Sequence, residues 1–220
     1  MRRCVSHRYA DAFNSKHEDD CRSKLGLASW DDEAANLWSE LFKLMSYQSA
    51  EVDFTCLFRA LGEVDGGGSA SVTADREGGD SGAGALGSAP EDAAADGCAL
   101  LDAVRASALD DIDGWPDAHR SSWLEWLRRY DARVSAERSA GFLPDQRRQL
   151  MSKANPKYIL RNHMAAEAYE AAARGDYSIV REVAELLSRP YEEQGEEADL
   201  RWAQPTPKWA RGRPGLAFMS

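Results

Sequence analysis

The segment HRSSWLEWLRRYDARVSAE, residues 119–137, carries the clearest fold signal in the sequence. Its large apolar side chains recur three or four positions apart, at Trp123, Trp126, Tyr130 and Val134. This spacing places them on one face of an α-helix and leaves the charged residues on the other. The segment therefore predicts a long amphipathic helix with an aromatic inner face.

Helix-capping residues precede other stretches with the same periodicity. Asp31 or Asp32 can cap a helix over residues 30–45, and Asp53 can cap a short hydrophobic one. Pro144 suits the first position of a further helix. No segment predicts a strand, so the predicted fold class is all-α.

The C-terminal half predicts two more helices. Asn155, followed by Pro156, is predicted to open a helix that continues through apolar residues such as Met164 and Tyr169 and ends at Gly175. Asp176 is predicted to cap the next helix. At the other end of the chain, the first segment is predicted to be the tail of a helix, and its apolar anchors are Tyr9, Phe13 and Leu25.

Composition divides the chain into segments. Residues 1–62 are predicted to form a helical segment, and residues 98–204 to continue the same domain. Between them, residues 63–97 consist largely of Gly, Ala, Ser, Asp and Glu. Such a segment cannot bury enough apolar surface to offset the entropy that ordering costs, so it is predicted to be a disordered insert. Residues 205–220, with several prolines and arginines, predict an extended tail.

Charge and hydropathy argue against several classes of function. The net charge of -10 and a pI of about 5.0 disfavour binding to nucleic acid or to an anionic membrane surface. No apolar run reaches the roughly 18 residues that a transmembrane helix needs, so a soluble protein is predicted. The basic start of the chain lacks a following apolar stretch, so no targeting segment is predicted. The widely spaced cysteines indicate reduced thiols in an intracellular compartment.

Four residues near the start are the best candidate metal ligands: Cys4, His7, His17 and Cys21. The Cys4–His7 pair and the His17–Cys21 pair each have helical spacing. However, about ten residues, or roughly 15 Å along a helix, separate His7 from His17. One zinc ion could reach both pairs only if the segment folded back, so a solvated polar helix is the favoured interpretation.

Other polar groups also have a structural explanation beside a functional one. Neighbouring carboxylates could bind a hard cation, but they occur at predicted helix starts, turns and loops; the pairs are Asp19–Asp20, Asp31–Asp32, Asp110–Asp111, Glu192–Glu193 and Glu196–Glu197. Arg161 and Asn162 could bind a phosphate or a partner carboxylate. With no base or nucleophile nearby, the favoured role is to clamp a neighbouring loop. No catalytic, cofactor-binding or metal-binding residue is assigned.

An ordered series of motifs resembles the C-terminal region of the selenoprotein O family. The motifs are KLGL at 24–27, DFTCLFRAL at 53–61, WLEWLRRY at 123–130, NPKYILRN at 155–162, AAEA at 165–168, GD at 175–176 and LLSRPY at 186–191. The resemblance implies the helical region that follows a kinase-like fold. It also implies an enzyme that uses ATP and Mg²⁺ to transfer AMP to protein Ser, Thr or Tyr hydroxyls, and that is mitochondrial in eukaryotes.

The chain departs from that family pattern. No Gly-rich nucleotide loop, strand lysine or metal-binding Asp-Phe-Gly is found, so we expect a fragment whose partners are the missing kinase-like catalytic lobe and the enzyme's protein substrates. The family typically ends in Cys-Ser-Ser or selenocysteine-Ser-Ser, whereas this chain stops at Ser220. We therefore expect that a selenocysteine codon follows Ser220 and was interpreted as a stop codon. The alternatives are a non-catalytic helical interaction module and a small metal-binding protein.

Overall fold

The computed structural model describes residues 2–46, 51–65, 99–211 and 213, with the backbone alone for residues 2–8. Within these residues the chain forms helices that are joined by turns and loops. The helices are α1 (Arg2–Leu25), α2 (Asp32–Met45), α3 (Phe54–Glu63), α4 (Ala99–Ser107), α5 (Asp117–Ser139), α6 (Pro144–Ala154), α7 (Asn162–Ala173), α8 (Ser178–Ser188), α9 (Glu196–Trp202) and α10 (Lys208–Arg211). A 3-10 turn, Ile112–Gly114, precedes α5. The all-α prediction is confirmed. Among these residues, no helix combines the length and the apolar character that crossing a bilayer requires.

The larger hydrophobic core is built around the aromatic face of α5. The Trp126 indole N–H donates to the carbonyl oxygen of Leu37 in α2 at 2.8 Å, and its ring stacks on Tyr130 with centroids 5.0 Å apart. The Tyr130 hydroxyl donates to the carbonyl of Leu25 at 2.7 Å. The predicted inner face of this helix is therefore confirmed, and its polar atoms tie α5 to both α1 and α2.

A buried arginine joins α6 to the end of α3. Arg147 is 3% exposed, and its guanidinium donates to the carbonyls of Leu61 at 2.9 Å and Val64 at 2.7 Å. It also donates to the Tyr130 hydroxyl at 2.7 Å. The last carbonyls of a helix lack intrahelical partners and carry partial negative charge. Arg147 supplies both the hydrogen bonds and the opposite charge that this helix end needs.

The turn after α1 depends on a glycine. Gly26 has a φ of 67°, and a Cβ at this position would lie 2.4 Å from the sulfur of Met151 in α6. We expect Gly26→Ala to lower the free energy of unfolding by about 2–4 kcal/mol, because left-handed strain adds to displacement of a packed side chain. Urea unfolding monitored by circular dichroism would measure the loss.

Gly175→Ala is the matched control for that substitution. Gly175 also has a positive φ, 86°, but a Cβ there would meet nothing within 4 Å. Only the backbone strain of about 1–2 kcal/mol is then expected. Equal losses in the two variants would show that the close approach of α6 to Gly26 does not affect stability.

A smaller core lies between α7, α8 and α9. Its buried side chains are Tyr158, Met164, Val183, Leu186 and Trp202. The Trp202 indole N–H donates to the carboxylate of Glu182 at 2.7 Å, which fixes α9 against α8. The C-terminal helices thus bury an apolar interior of their own beside the larger core.

The predicted start of the helix after Asn155 is wrong. Asn155 ends α6 instead, and its side-chain amide donates to the carbonyl of Lys24 at 3.1 Å. The backbone N–H groups of Lys157 and Tyr158 both donate to the carbonyl of Pro190, at 2.8 and 3.1 Å. These long-range bonds hold the segment out of a helix, so α7 begins only at Asn162.

Two of the three side chains that were predicted to anchor the first segment are exposed. Tyr9 and Phe13 are 73% and 59% exposed, whereas Leu25 is fully buried, as predicted. Helical periodicity does not show how far along a helix a packing partner extends.

The segment boundaries are only partly described. Glu63, the first residue of the predicted disordered insert, is instead the last residue of α3, and residues 66–97 of that insert lie outside the described residues. Within the predicted extended tail, Lys208–Arg211 form a short helix, whereas 212 and 214–220 lie outside the described residues. The division into insert and tail otherwise stays a prediction.

Candidate functional site

A buried ion pair connects the two hydrophobic cores. Arg161, the residue before α7, donates to both carboxylate oxygens of Asp53, and the two side chains are only 1% and 2% exposed. Asp53 also caps α3, where its carboxylate accepts the backbone N–H of Cys56 at 2.9 Å. The guanidinium of Arg161 is therefore directed inward, in agreement with the structural role favoured for it.

The environment of this pair maintains its charges. Burial favours the protonated form of Asp53 and is the largest single influence on its pKa, but the hydrogen bonds and charge of Arg161 outweigh it and lower that pKa. Burial also raises the pKa of the Cys56 thiol beside the pair. Asp53 thus stays ionised with both oxygens engaged, and Cys56 stays a neutral thiol. Neither is available as a base or a nucleophile.

A charged cleft of about 620 Å³ opens between α3, α6 and the segment that follows Pro190. Its cationic side chains are each paired with a carboxylate; the pairs are Arg59–Glu193 at 2.5 Å, Arg148–Asp65 at 2.6 Å and Lys157–Asp199 at 2.7 Å. Within the described part of the chain, the cleft therefore presents no unpaired cation to a phosphate group. The arrangement serves to hold these elements together.

A tyrosine extends this network into the smaller core. Tyr158 is 1% exposed, and its hydroxyl donates to Asp199, the carboxylate that also accepts from Lys157. Burial, followed by this hydrogen bond, raises the pKa of Tyr158. The phenol therefore stays protonated at neutral pH and acts as a hydrogen-bond donor. Sequence reasoning missed this set because Asp199 lies 41 residues from Tyr158 and belongs to no local pattern.

The acidic pairs mostly have the structural roles predicted for them. Asp31 caps α2 by accepting the N–H of Ala34 at 2.9 Å, and Asp111 accepts the N–H of Asp113 at 3.1 Å. Capping is the wrong explanation for Asp19 and Asp20, because they lie inside α1, where they pair with Arg22 and Lys16, both at 2.6 Å. Asp110 pairs with Arg211 at 3.2 Å.

The four glutamates predicted to lie in a solvated loop differ from that expectation in part. Glu196 and Glu197 form the first turn of α9, where negative charge suits the helix dipole. Glu193 binds Arg59 and Lys157. A loop is therefore found only around Glu192 and Glu193.

The candidate metal ligands do not converge in what the structure describes. The α1 helix runs without a break from Arg2 to Leu25, so His17 and Cys21 stay on a different turn from Cys4 and His7, whose side chains lie outside the described residues. His17 Nε2 lies 3.6 Å from Cys21 Sγ. Among the described residues, no group of three or more His, Cys, Asp or Glu side chains is arranged to hold a metal ion.

The His17–Cys21 contact resembles a thiol–imidazole pair, but the thiol is not activated. Cys21 is 2% exposed, and burial raises its pKa to about 11. Because the thiolate is the reactive form, we expect alkylation of Cys21 by iodoacetamide at pH 8 to be at least about 100-fold slower than that of a free thiol. Peptide mapping by mass spectrometry would measure the rate, and the urea-unfolded chain is the control. Reaction of the native chain at the unfolded rate would contradict this result.

Curated bacterial proteins are similar to this chain over most of its length. No protein-family model matches it. It is 35% identical over 220 aligned residues to the protein nucleotidyltransferase YdiU of Nitrosospira multiformis, in an alignment that covers 96% of this chain and 35% of the relative. The proteins of the same name from Rhodopirellula baltica and Tolumonas auensis are 31% and 36% identical, over 96% and 90% of the chain. The chain spans about a third of the length of the curated relatives it matches.

Proposed function

Because this chain belongs to the selenoprotein O family, whose bacterial counterparts are the YdiU protein nucleotidyltransferases, we propose that it is the helical part of an enzyme that transfers nucleotidyl groups to proteins. The observation that carries the proposal is the 35% identity that extends over 96% of the chain. The group transferred is AMP, and the acceptors are Ser, Thr and Tyr hydroxyls.

In the proposed reaction, the bond that forms is matched by one that breaks. An acceptor hydroxyl attacks the α-phosphorus of ATP, a phosphodiester bond forms, and the bond to the β-phosphate breaks so that pyrophosphate leaves. The hydroxyl proton passes to a base. Such transfers depend on positioning and on charge stabilisation by metal ions and cationic side chains, with little covalent chemistry from the protein.

The described residues do not fit an Mg-ATP site. They include no cluster of carboxylates for a metal ion, and the cations of the charged cleft are already paired with Glu193, Asp65 and Asp199. No step of the reaction is therefore assigned to these residues. We propose that ATP, Mg²⁺ and the catalytic groups lie in a kinase-like catalytic part of the enzyme outside this chain.

The contribution of this chain is then structural. The Arg161–Asp53 pair and the Arg59–Glu193 pair join α3, which packs in the larger core, to the segments around the smaller core. A rigid helical body of this kind can support a catalytic lobe and hold its position relative to a protein substrate. The partners that follow from the proposal are the catalytic lobe and the substrate proteins.

The experiment uses the whole protein that contains this chain, incubated with Mg²⁺ and ATP that is labelled on either the α- or the γ-phosphate. We expect the α-label to become covalently attached to protein and the γ-label to appear in pyrophosphate. Mass spectrometry of the product should locate AMP on Ser, Thr or Tyr. The control is the 220-residue chain alone, which should transfer neither label. Attachment of the γ-label would identify a phosphotransferase and overturn the proposal.

A further inference from the structure

The N-terminal helix projects from the body of the molecule. Side chains 9–20 of α1 are all exposed, whereas Cys21, Leu25 and Leu27 are buried in or beside the larger core. The exposed length is about three turns of helix. An isolated helix of this length is marginal in water, because its stability normally comes from an apolar face packed on a partner.

That exposed length carries an aromatic stripe, which consists of Tyr9, Phe13 and His17. The rings of Tyr9 and Phe13 stack with centroids 6.3 Å apart, and those of Phe13 and His17 with centroids 6.2 Å apart. Residues four positions apart are neighbours on the surface of a helix, and His17 Nε2 lies 3.6 Å from Sγ of the buried Cys21. The aromatic stripe therefore leads from the edge of the packed part of α1 onto its exposed length.

The charged side chains of residues 9–20 lie mostly away from the aromatic stripe. A helix turns by about 100° per residue, which places Asp11, Glu18 and Asp19 more than a quarter turn from Phe13. Asp20 lies beside the stripe, but it pairs with Lys16 at 2.6 Å. The stripe thus presents an apolar surface. The net charge of -10 on the whole chain opposes the association of two copies, so an apolar groove on a different partner fits the stripe better.

The comparison with relatives points to the source of this partner. The alignment with the Nitrosospira multiformis protein covers 96% of the chain, so most of α1 belongs to the region that it shares with an enzyme about three times as long. We propose that the aromatic stripe docks in an apolar groove on the remaining two-thirds of the enzyme. This inference rests on the proposed function for the existence of that part, but not on the reaction that it catalyses.

Photo-crosslinking in the whole protein tests the proposal. Phe13 is replaced by p-benzoylphenylalanine, which keeps the aromatic ring, and the matched control carries the same probe at Ser15, which lies on nearly the opposite face of the helix. We expect the probe at position 13 to crosslink within the same molecule to residues outside these 220, at least about tenfold more than the probe at position 15. Peptide mapping identifies the crosslinked residues.

Three results would overturn the inference: equal crosslinking from both positions, crosslinks only between two molecules, or no crosslink beyond neighbouring turns of α1. A second measurement is hydrogen exchange over residues 9–20, which should be at least about tenfold slower in the whole protein than in the 220-residue chain. Because neither readout depends on AMP transfer, an enzyme without that activity could still show the docking, and an active enzyme could fail to show it.

Discussion

Replacement of Arg161 by alanine is expected to lower the free energy of unfolding of the chain by about 3–5 kcal/mol at pH 7. The substitution leaves Asp53, which is almost fully buried, without the cation that donates to both of its oxygens. The cost comes mainly from the uncompensated charge, since a carboxylate in an apolar interior has lost its hydration. Urea unfolding monitored by circular dichroism would measure it.

Arg120→Ala is the matched control for this prediction. Arg120 also pairs with an aspartate, Asp117, but at 3.5 Å and with side chains that are 44% and 96% exposed. A solvent-exposed pair of this kind contributes at most about 1 kcal/mol. Equal losses in the two variants would contradict the view that the Arg161–Asp53 pair joins the two cores.

The pH dependence of the Arg161 effect has a definite sign. Asp53 has a lowered pKa in the folded chain, so its ionic contribution is complete above the unfolded pKa of about 3.9 and is lost as the pH falls through the lower, folded value. In Arg161→Ala the carboxyl can become neutral as the pH falls, which removes the buried charge. The stability difference from wild type should therefore shrink between pH 7 and acid pH. A difference that grows in acid would contradict this account.

Replacement of Trp126 by alanine is expected to lower the free energy of unfolding by a similar amount, about 3–5 kcal/mol. The Trp126 ring is 1% exposed, packs between Trp123 and Tyr130, and donates its N–H to the carbonyl of Leu37. Alanine leaves a large cavity and removes one hydrogen bond to the carbonyl of Leu37, which keeps its partner within α2. Thermal or urea unfolding would report the loss.

Trp209→Ala is the control for size and residue type. Trp209 is 46% exposed and makes an edge contact with His163, so its truncation should cost less than about 1 kcal/mol. If the Trp126 variant were as stable as the Trp209 variant, α5 would not be the centre of the larger core.

The elements that could be predicted from the sequence are those whose signals are local. Asp31 and Asp53 were predicted to cap helices, and each accepts a backbone N–H of the first turn, while Pro144 begins α6. The aromatic face of α5 followed from its periodicity. In these places the capping residue and the apolar pattern lie within one or two turns of each other.

The predictions that failed depended on contacts between distant parts of the chain. Asn155 has a side chain that suits a helix cap, but its amide donates to the carbonyl of Lys24, 131 residues away. The residue therefore ends a helix instead of starting one. The roles of Asp53 as a cap and of Arg161 as a structural residue were predicted, but their pairing across 108 residues was not. The exposure of Tyr9 and Phe13 could not be predicted, because periodicity does not state where the partner of a helix face ends.

For the candidate site, the sequence mainly allowed us to predict which polar groups have structural roles. The acidic pairs and Arg161 were expected to be structural, and in the described residues they cap helices or form ion pairs. The Lys157–Asp199–Tyr158 network had no sequence signal at all. The mitochondrial location and the selenocysteine after Ser220 stay predictions.

The size of the native protein tests the central claim most directly, that this chain is the helical third of a longer nucleotidyltransferase. An antibody raised against α5 would be used to detect the protein in cells on a denaturing gel. The account predicts a band at roughly three times the 24.3 kDa of the chain, matching the share of its relatives that it spans. A single band at the mass of the chain itself would contradict it, and would leave a helical protein without the catalytic part that we propose.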